Sequence, residues 1–232
     1  MKQLLLSLAI CCSLLAFAQP DVKLKKKDYK KDIELLTTEG TIVLRLSDST
    51  PQHRDNFLRL VKAKCYDSVL FHRVIKGFMI QGGDTASMRA TARQLLNSGI
   101  DYTLPAEIIP ALFHKRGALA AARKGDNENP ERRSSGSQFY IVQGQTYTDK
   151  QMDSIEAVRL QGRKISPERR AYYKSIGGTP QLDGNYTVFG EVVLGQEVAD
   201  KIAAVPTATG PGRDRPLQEV RILSAKLVKR KK

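Results

Sequence analysis

The sequence predicts a mainly β protein, a closed barrel with helices over its ends, interrupted by an inserted helical hairpin. Three observations lead there. Short segments with period-two alternation recur along the chain, only two stretches outside one charged block carry helical spacing, and that block, residues 145–178, is helical in pattern. The length of 232 residues fits one domain with extensions better than two domains. With 41% hydrophobic and 27% charged residues, the chain can build a core without disulfides or metals. The net charge of +14 would attract nucleic acid, anionic lipid or acidic protein segments, without choosing among them.

The elements follow in order. Met1-Lys2, the apolar run 4–17 and Ala16-Phe17-Ala18 read as a secretory signal peptide over residues 1–18, cleaved before Gln19. An uncleaved anchor is one alternative, and lipidation at Cys11 another. The Ile before Cys11 fits lipidation poorly, and the apolar run continues past it. Cys65 is then the one cysteine left, so no internal disulfide forms, and it reads as a small core residue.

Residues 19–30 are a basic linker. IELLT and TIVLRLS, separated by Thr38-Glu39-Gly40, read as a hairpin with Ile42, Leu44 and Leu46 on one face. Thr50 and Pro51 suit the cap and first position of a helix whose buried stripe is Phe57, Leu60 and Val61. Strand-like segments and glycines alternate over 70–84. The stretch 86–99 is polar loop with some helix, and 117–122 and 137–142 are two further strands. In the insertion, Ser166-Pro167 starts the second helix. Strand signals return at 187–193, a helix at 196–204 and a closing strand at 220–228, before a basic tail at 229–232.

The most informative stretch is Phe71-His72-Arg73-Val74-Ile75-Lys76-Gly77-Phe78-Met79-Ile80-Gln81-Gly82-Gly83-Asp84. A second block is Gly136-Ser137-Gln138-Phe139-Tyr140-Ile141. A third is Leu182-Asp183-Gly184 with Thr187-Val188-Phe189-Gly190-Glu191-Val192, and Asn56-Phe57-Leu58-Arg59-Leu60 agrees with them. Together these blocks resemble the cyclophilin family of peptidyl-prolyl cis-trans isomerases over residues 31–228, apart from the insertion. The resemblance implies an antiparallel eight-stranded barrel capped by two helices. It implies an enzyme that accelerates rotation of X-Pro bonds during folding of exported proteins.

That reaction needs no nucleophile, metal or cofactor. Amide resonance sets a rotation barrier of about 18–20 kcal/mol. In the twisted state the prolyl nitrogen becomes pyramidal, and its lone pair can accept a hydrogen bond. An arginine can donate it while staying charged. The resemblance assigns that role to Arg73, with Gln81 bonding substrate backbone and holding the arginine, and His72 behind it. It implies that Phe78, Met79, Tyr140 and Leu182 line a proline pocket with Tyr186 at its rim. Ala122, Arg123, Gln138 and Phe139 complete the peptide-binding set.

Gln181 stands where the best-known eukaryotic members carry a tryptophan that helps bind cyclosporin. Tyr186 replaces their histidine, Tyr140 their phenylalanine and Arg123 their asparagine. The partners implied are proline-containing unfolded or extended segments, with no nucleic acid, no stable membrane span and a monomeric chain. The expected location is the periplasm, with lipoprotein attachment or secretion as alternatives. The competing reading is a non-catalytic proline-peptide binding module or holdase chaperone.

Overall fold

A computed structural model describes residues 20–89, 100–210 and 212–230. The expected signal peptide, Cys11 and most of the polar stretch 86–99 lie outside the described residues. Chain order gives β1 (Lys31–Thr37), β2 (Gly40–Leu46), α1 (Pro51–Lys62), β3 (Arg73–Ile75), β4 (Met79–Gly82), β5 (Thr103–Leu104) and β6 (Ala118–Ala121). Then come β7 (Ser134–Ser135), β8 (Phe139–Val142), α2 (Asp149–Val158), α3 (Pro167–Ser175), β9 (Val188–Leu194), α4 (Gln196–Ala203) and β10 (Ile222–Lys229). Among the described residues no helix is long and apolar enough to cross a membrane.

Eight strands form one curled antiparallel sheet in the order β10-β1-β2-β9-β6-β8-β4-β3. The expected closed barrel is corrected here, because the edge strands β3 and β10 do not pair with each other. The segment 68–71, which leads into β3, meets the chain entering β10 through an antiparallel bridge, Leu70 to Arg221. Backbone bonds from Ser68 to Ile222 (2.7 Å), Ile222 to Val69 (2.8 Å) and Phe71 to Val220 (2.9 Å) flank that bridge. The seam is therefore only a few residues long, and the sheet remains a half-barrel.

Alternation decides which side chains go inward. Ile33, Leu35, Ile42, Leu44, Leu119, Ile141 and Phe189 meet inside the curl, with Phe57, Leu60 and Val61 of α1 and Ala199 and Ile202 of α4. Helix α1 covers β9 and β10, and α4 lies against β2, β3 and β4, so the two expected caps are present. Cys65 packs at the edge of this core, and burial raises its thiol pKa, which fits a packing role. The basic segment before β1 is not a free spacer. Leu24 and Tyr29 pack on the core, and Lys62 bonds the carbonyl of Lys23 and the buried Asp28, both at 2.8 Å.

The start of α1 departs from expectation in chemistry. Thr50 occupies the cap position without a side-chain cap bond. The carboxylate of Glu107 takes the role from the loop before β6, accepting from the backbone N–H of Gln52 (3.1 Å) and of His53 (2.9 Å). It also meets His53 Nδ1 at 2.6 Å.

The insertion is the expected hairpin, α2 and α3, with Thr148–Gln151 forming a capping box and Ser166 capping α3. It has a small core of its own, Tyr147, Met152, Leu160, Ile165 and Tyr173, distinct from the barrel core. Glu156, 2% exposed, ties the two helices. It accepts from Lys164 (2.8 Å), Arg170 (2.8 Å) and the backbone N–H of Ile165 (3.0 Å). Lys164 foremost, then Arg170 and the Ile165 N–H, hold its pKa down to about 2. The ends of the insertion meet, with backbone bonds in both directions between Gln145 and Gly178 (3.1 and 3.3 Å).

A carboxylate whose pKa is lower in the fold adds stability above its unfolded value, and that stability fades as pH falls through the folded value. Protease nicking between α2 and α3 should therefore rise as pH drops from about 4.5 toward about 2, the range set by Glu156. Glu156→Gln should show the raised nicking already at pH 7. Equal nicking of variant and parent at pH 7 would remove Glu156 as the clasp.

Candidate active site

Directly opposed residues of antiparallel strands share a face. Arg73 faces Gln81, Gln81 faces Tyr140, Tyr140 faces Ala120 and Ala120 faces Val188. One row therefore crosses β3, β4, β8, β6 and β9 on the face turned away from the main core. A neighbouring row sets Ile75 against Met79 and Met79 against Val142. These rows form a second apolar cluster of Met79, Ala118, Ala120, Ala122, Tyr140, Val142 and Val188. Phe78, Leu182 and Tyr186 are half-buried at its margin. Of the expected pocket residues, Phe78, Met79, Ala122, Tyr140, Leu182 and Tyr186 thus meet in one place.

Phe139 is a correction. It faces Ala121 and Gly82, so alternation turns it inward. It is 1% exposed and meets Phe57, Tyr66 and Phe71 edge-on within the main core. Its neighbour Gln138 is half-buried beside the row and supplies a side chain to it.

Arg73 stands at the open end of the row with a side chain 42% exposed. Its Nη1 donates to Gln81 Oε1 at 3.4 Å, and its Nε lies 3.7 Å from Asp214 Oδ2. Gln81 Nε2 donates to Gln138 Oε1 at 3.1 Å, which turns the Gln81 carbonyl toward the arginine. Asp214 belongs to the loop before β10, and its carbonyl accepts from the Val74 N–H at 2.7 Å. Gly83 ends this strand at φ +88°, where a Cβ would collide with the Ser137 carbonyl.

His72 is largely buried and leaves Nδ1 without a hydrogen-bond partner. Burial first, then the charges of Arg215 and Arg73, lower its pKa to about 4. It is neutral near pH 7 and adds no second cation beside Arg73.

The pocket floor is fixed from behind. Tyr140 Oη meets His114 Nε2 at 3.0 Å, and His114 Nδ1 meets Asp183 Oδ1 at 3.0 Å. That oxygen also accepts from the His114 backbone N–H at 2.8 Å, and Asp183 Oδ2 accepts from Tyr173 Oη at 2.8 Å. All four side chains are buried. With the carboxylate as acceptor, His114 Nδ1–H donates to Asp183, and Nε2 is the ring nitrogen that faces the Tyr140 hydroxyl. Burial raises the pKa of both Tyr140 and Tyr173 far above the usual phenol value, keeping them as donors.

Sequence reasoning gave His114, Tyr173 and Asp214 no role at the site, and gave none to Asp183 although it stands inside a quoted motif. Three lone, distant histidines carry no spacing signal, and pairing across 69 and 26 residues is visible only in the fold.

At the rim, Arg123 lies over the Tyr186 ring, 4.4 Å from its centroid, donates to the carbonyl of Asn185 (2.8 Å) and pairs with Asp126 (2.6 Å). Its side chain is 4% exposed, so it braces Tyr186. Gln181, at the position of the missing tryptophan, accepts from Tyr147 Oη of the insertion at 3.4 Å.

Residues 32–227 match the family model described as cyclophilin type peptidyl-prolyl cis-trans isomerase/CLD. A peptidyl-prolyl cis-trans isomerase of Staphylococcus haemolyticus is 30% identical over 88% of this chain and 95% of its own length. A bifunctional phosphatase/peptidyl-prolyl cis-trans isomerase of Streptococcus pyogenes serotype M6 is 35% identical over 81% of this chain, which spans 37% of that longer protein. A cyclophilin-type isomerase of Cryptosporidium parvum shares the fold at a TM-score of 0.60 and 24% identity, over 87% of this chain and 99% of that one. The chain belongs to the cyclophilin-type peptidyl-prolyl cis-trans isomerase family.

Proposed function

We propose that Arg73 carries the isomerase chemistry of this chain, acting on proline-containing segments of exported proteins. The observation that carries this reading is the single row across the sheet. It sets a half-exposed guanidinium at the edge of an apolar cluster that includes Met79 and Tyr140, with Phe78 and Leu182 half-buried at its margin. That apolar margin takes the proline ring. An Arg73 N–H donates to the prolyl nitrogen as that nitrogen loses conjugation. Gln81 and Asp214 restrict the arginine's orientation before substrate arrives. The bond is stronger in the twisted state than in either planar state, so it lowers the barrier instead of only tightening binding. Gln81 bonds the substrate backbone, and Ala122 and Gln138 lie along the bound peptide.

The extracytoplasmic site of action is supported by the signal-like residues 1–18, and the periplasm is the compartment proposed. A monomer suffices for this reading, since one chain supplies the whole row. The insertion acts through the floor: Tyr173 holds Asp183, which holds His114 beneath Tyr140.

Arg73→Ala should lower kcat/KM for a proline test peptide by about 100-fold or more, equivalent to roughly 2.7 kcal/mol of transition-state stabilisation. Arg73→Lys should also be poor, because an ammonium lacks the fork. Near-normal turnover by a folded Arg73→Ala protein would overturn the mechanism and favour a groove that only binds.

Tyr173→Phe should cost about 1–3 kcal/mol of stability by leaving Asp183 short of a partner. It should also lower kcat for a short peptide more than it raises KM. Replacing residues 146–177 with a short Gly/Ser turn should leave the sheet folded, because the insertion's ends already touch. That variant should lose at least as much turnover as Tyr173→Phe. Full short-peptide activity in it would show that the insertion does not hold the floor.

A further inference from the structure

At the margin of the apolar cluster, against Phe78, Leu182 and Tyr186, lies a cleft of about 480 Å³. Its far wall is the turn after α2, through Arg159 and Gln161, so the insertion supplies two of its ten lining residues. Arg123 and Arg132 line the near side, with Asp126 as the one lining carboxylate.

The charges do not balance. Asp126 is shared, at 2.6 Å from Arg123 and 3.3 Å from Arg132. Arg163 reaches in behind Asn185 and donates to neutral oxygens, the Leu160 carbonyl at 3.3 Å and the Asp183 carbonyl and Asn185 Oδ1, both at 3.1 Å. Arg132 Nη1 donates to the same Asn185 Oδ1 at 3.0 Å, so two guanidiniums converge on one amide oxygen. Arg163 is also seated tightly. Gly184 beneath it takes φ +70°, and a Cβ there would collide with Arg163 Nη1. Arg159 is exposed at the mouth, with no carboxylate partner among the described residues. Three lining arginines and a fourth one bond away thus face a single carboxylate that two of them already share.

We propose that this cleft is a subsite for a client carboxylate, the side chain of an aspartate or glutamate within a few residues of the isomerised proline. A carboxylate matches the guanidinium fork, and partial burial against Phe78, Leu182 and Tyr186 reduces screening of the pair. A lysine at that position would meet like charge. The subsite rests on the isomerase reading for its place along the client. It deepens that reading by naming the sequences that the insertion selects.

The test uses three peptides that differ only in the residue two positions from the proline, Glu, Gln or Lys, made in two sets for the two sides. In one set the Glu peptide should show a kcat/KM about tenfold above the Lys peptide, and 0.5 M salt should erode most of that ratio. Arg159→Glu should cut the Glu-to-Lys ratio at least fivefold, with an unchanged thermal midpoint. A ratio near one in both sets, with the Gln peptides turned over normally, overturns the subsite and leaves the isomerase intact. A ratio that survives Arg159→Glu also overturns it, assigning the preference to the overall +14 charge. Failure to turn over any peptide counts against the isomerase reading. Fluorescence anisotropy with the labelled Glu and Lys peptides then still reads the same ratio as relative affinity, and equal affinities overturn the subsite.

Discussion

The strict alternation of side chains across β4, β8 and β6 is the constraint on which the molecule depends. Within β8, Phe139 and Ile141 point into the curl, while Tyr140 and Val142 point out. The inward set joins α1 and α4 to make the fold. The outward set, aligned by register with Arg73, Gln81 and Met79, makes the groove. One strand therefore serves stability and chemistry at once. A one-residue slip of β8 would place Phe139 in the pocket and strand the Tyr140 hydroxyl in the core.

That hydroxyl explains the buried polar chain behind the groove. A phenol at the pocket floor cannot be left unsatisfied without a cost of about 1–3 kcal/mol. His114 meets it, Asp183 meets His114, and Tyr173 meets the remaining carboxylate oxygen. A fully satisfied buried network fixes geometry more firmly than separate bonds would. This one crosses from the insertion's own small core to the floor of the site. The hairpin contributes nothing to the barrel core, yet it reaches the pocket through Tyr173 and through the Tyr147–Gln181 bond.

Much of this was legible in the sequence where the signal is periodic or local. The β1–β2 hairpin follows from Ile42, Leu44 and Leu46. The α3 start follows from Ser166-Pro167, and the α1 stripe from Phe57, Leu60 and Val61. The resemblance grouped residues that the fold brings together around Tyr140, except Phe139, where adjacency in a motif was read as adjacency in space. Long-range chemistry was not legible. Glu107 caps α1 from some 55 positions away, and local rules pointed to Thr50 instead. Closure of the barrel could not be read either, because it turns on whether the two edge strands pair with each other across the sheet's ends.

The central claim is that the outward row of the sheet holds and twists a prolyl bond at Arg73. Two-dimensional exchange NMR on an Ala-Pro peptide, with the protein at substoichiometric concentration, tests it most directly, because one sample reports both exchange and contact. Cis–trans exchange cross-peaks should appear only with protein present. Intermolecular NOEs should run from the proline ring to Met79, Tyr140 and Leu182. Exchange no faster than in free peptide, or proline contacts away from these three residues, would contradict the account.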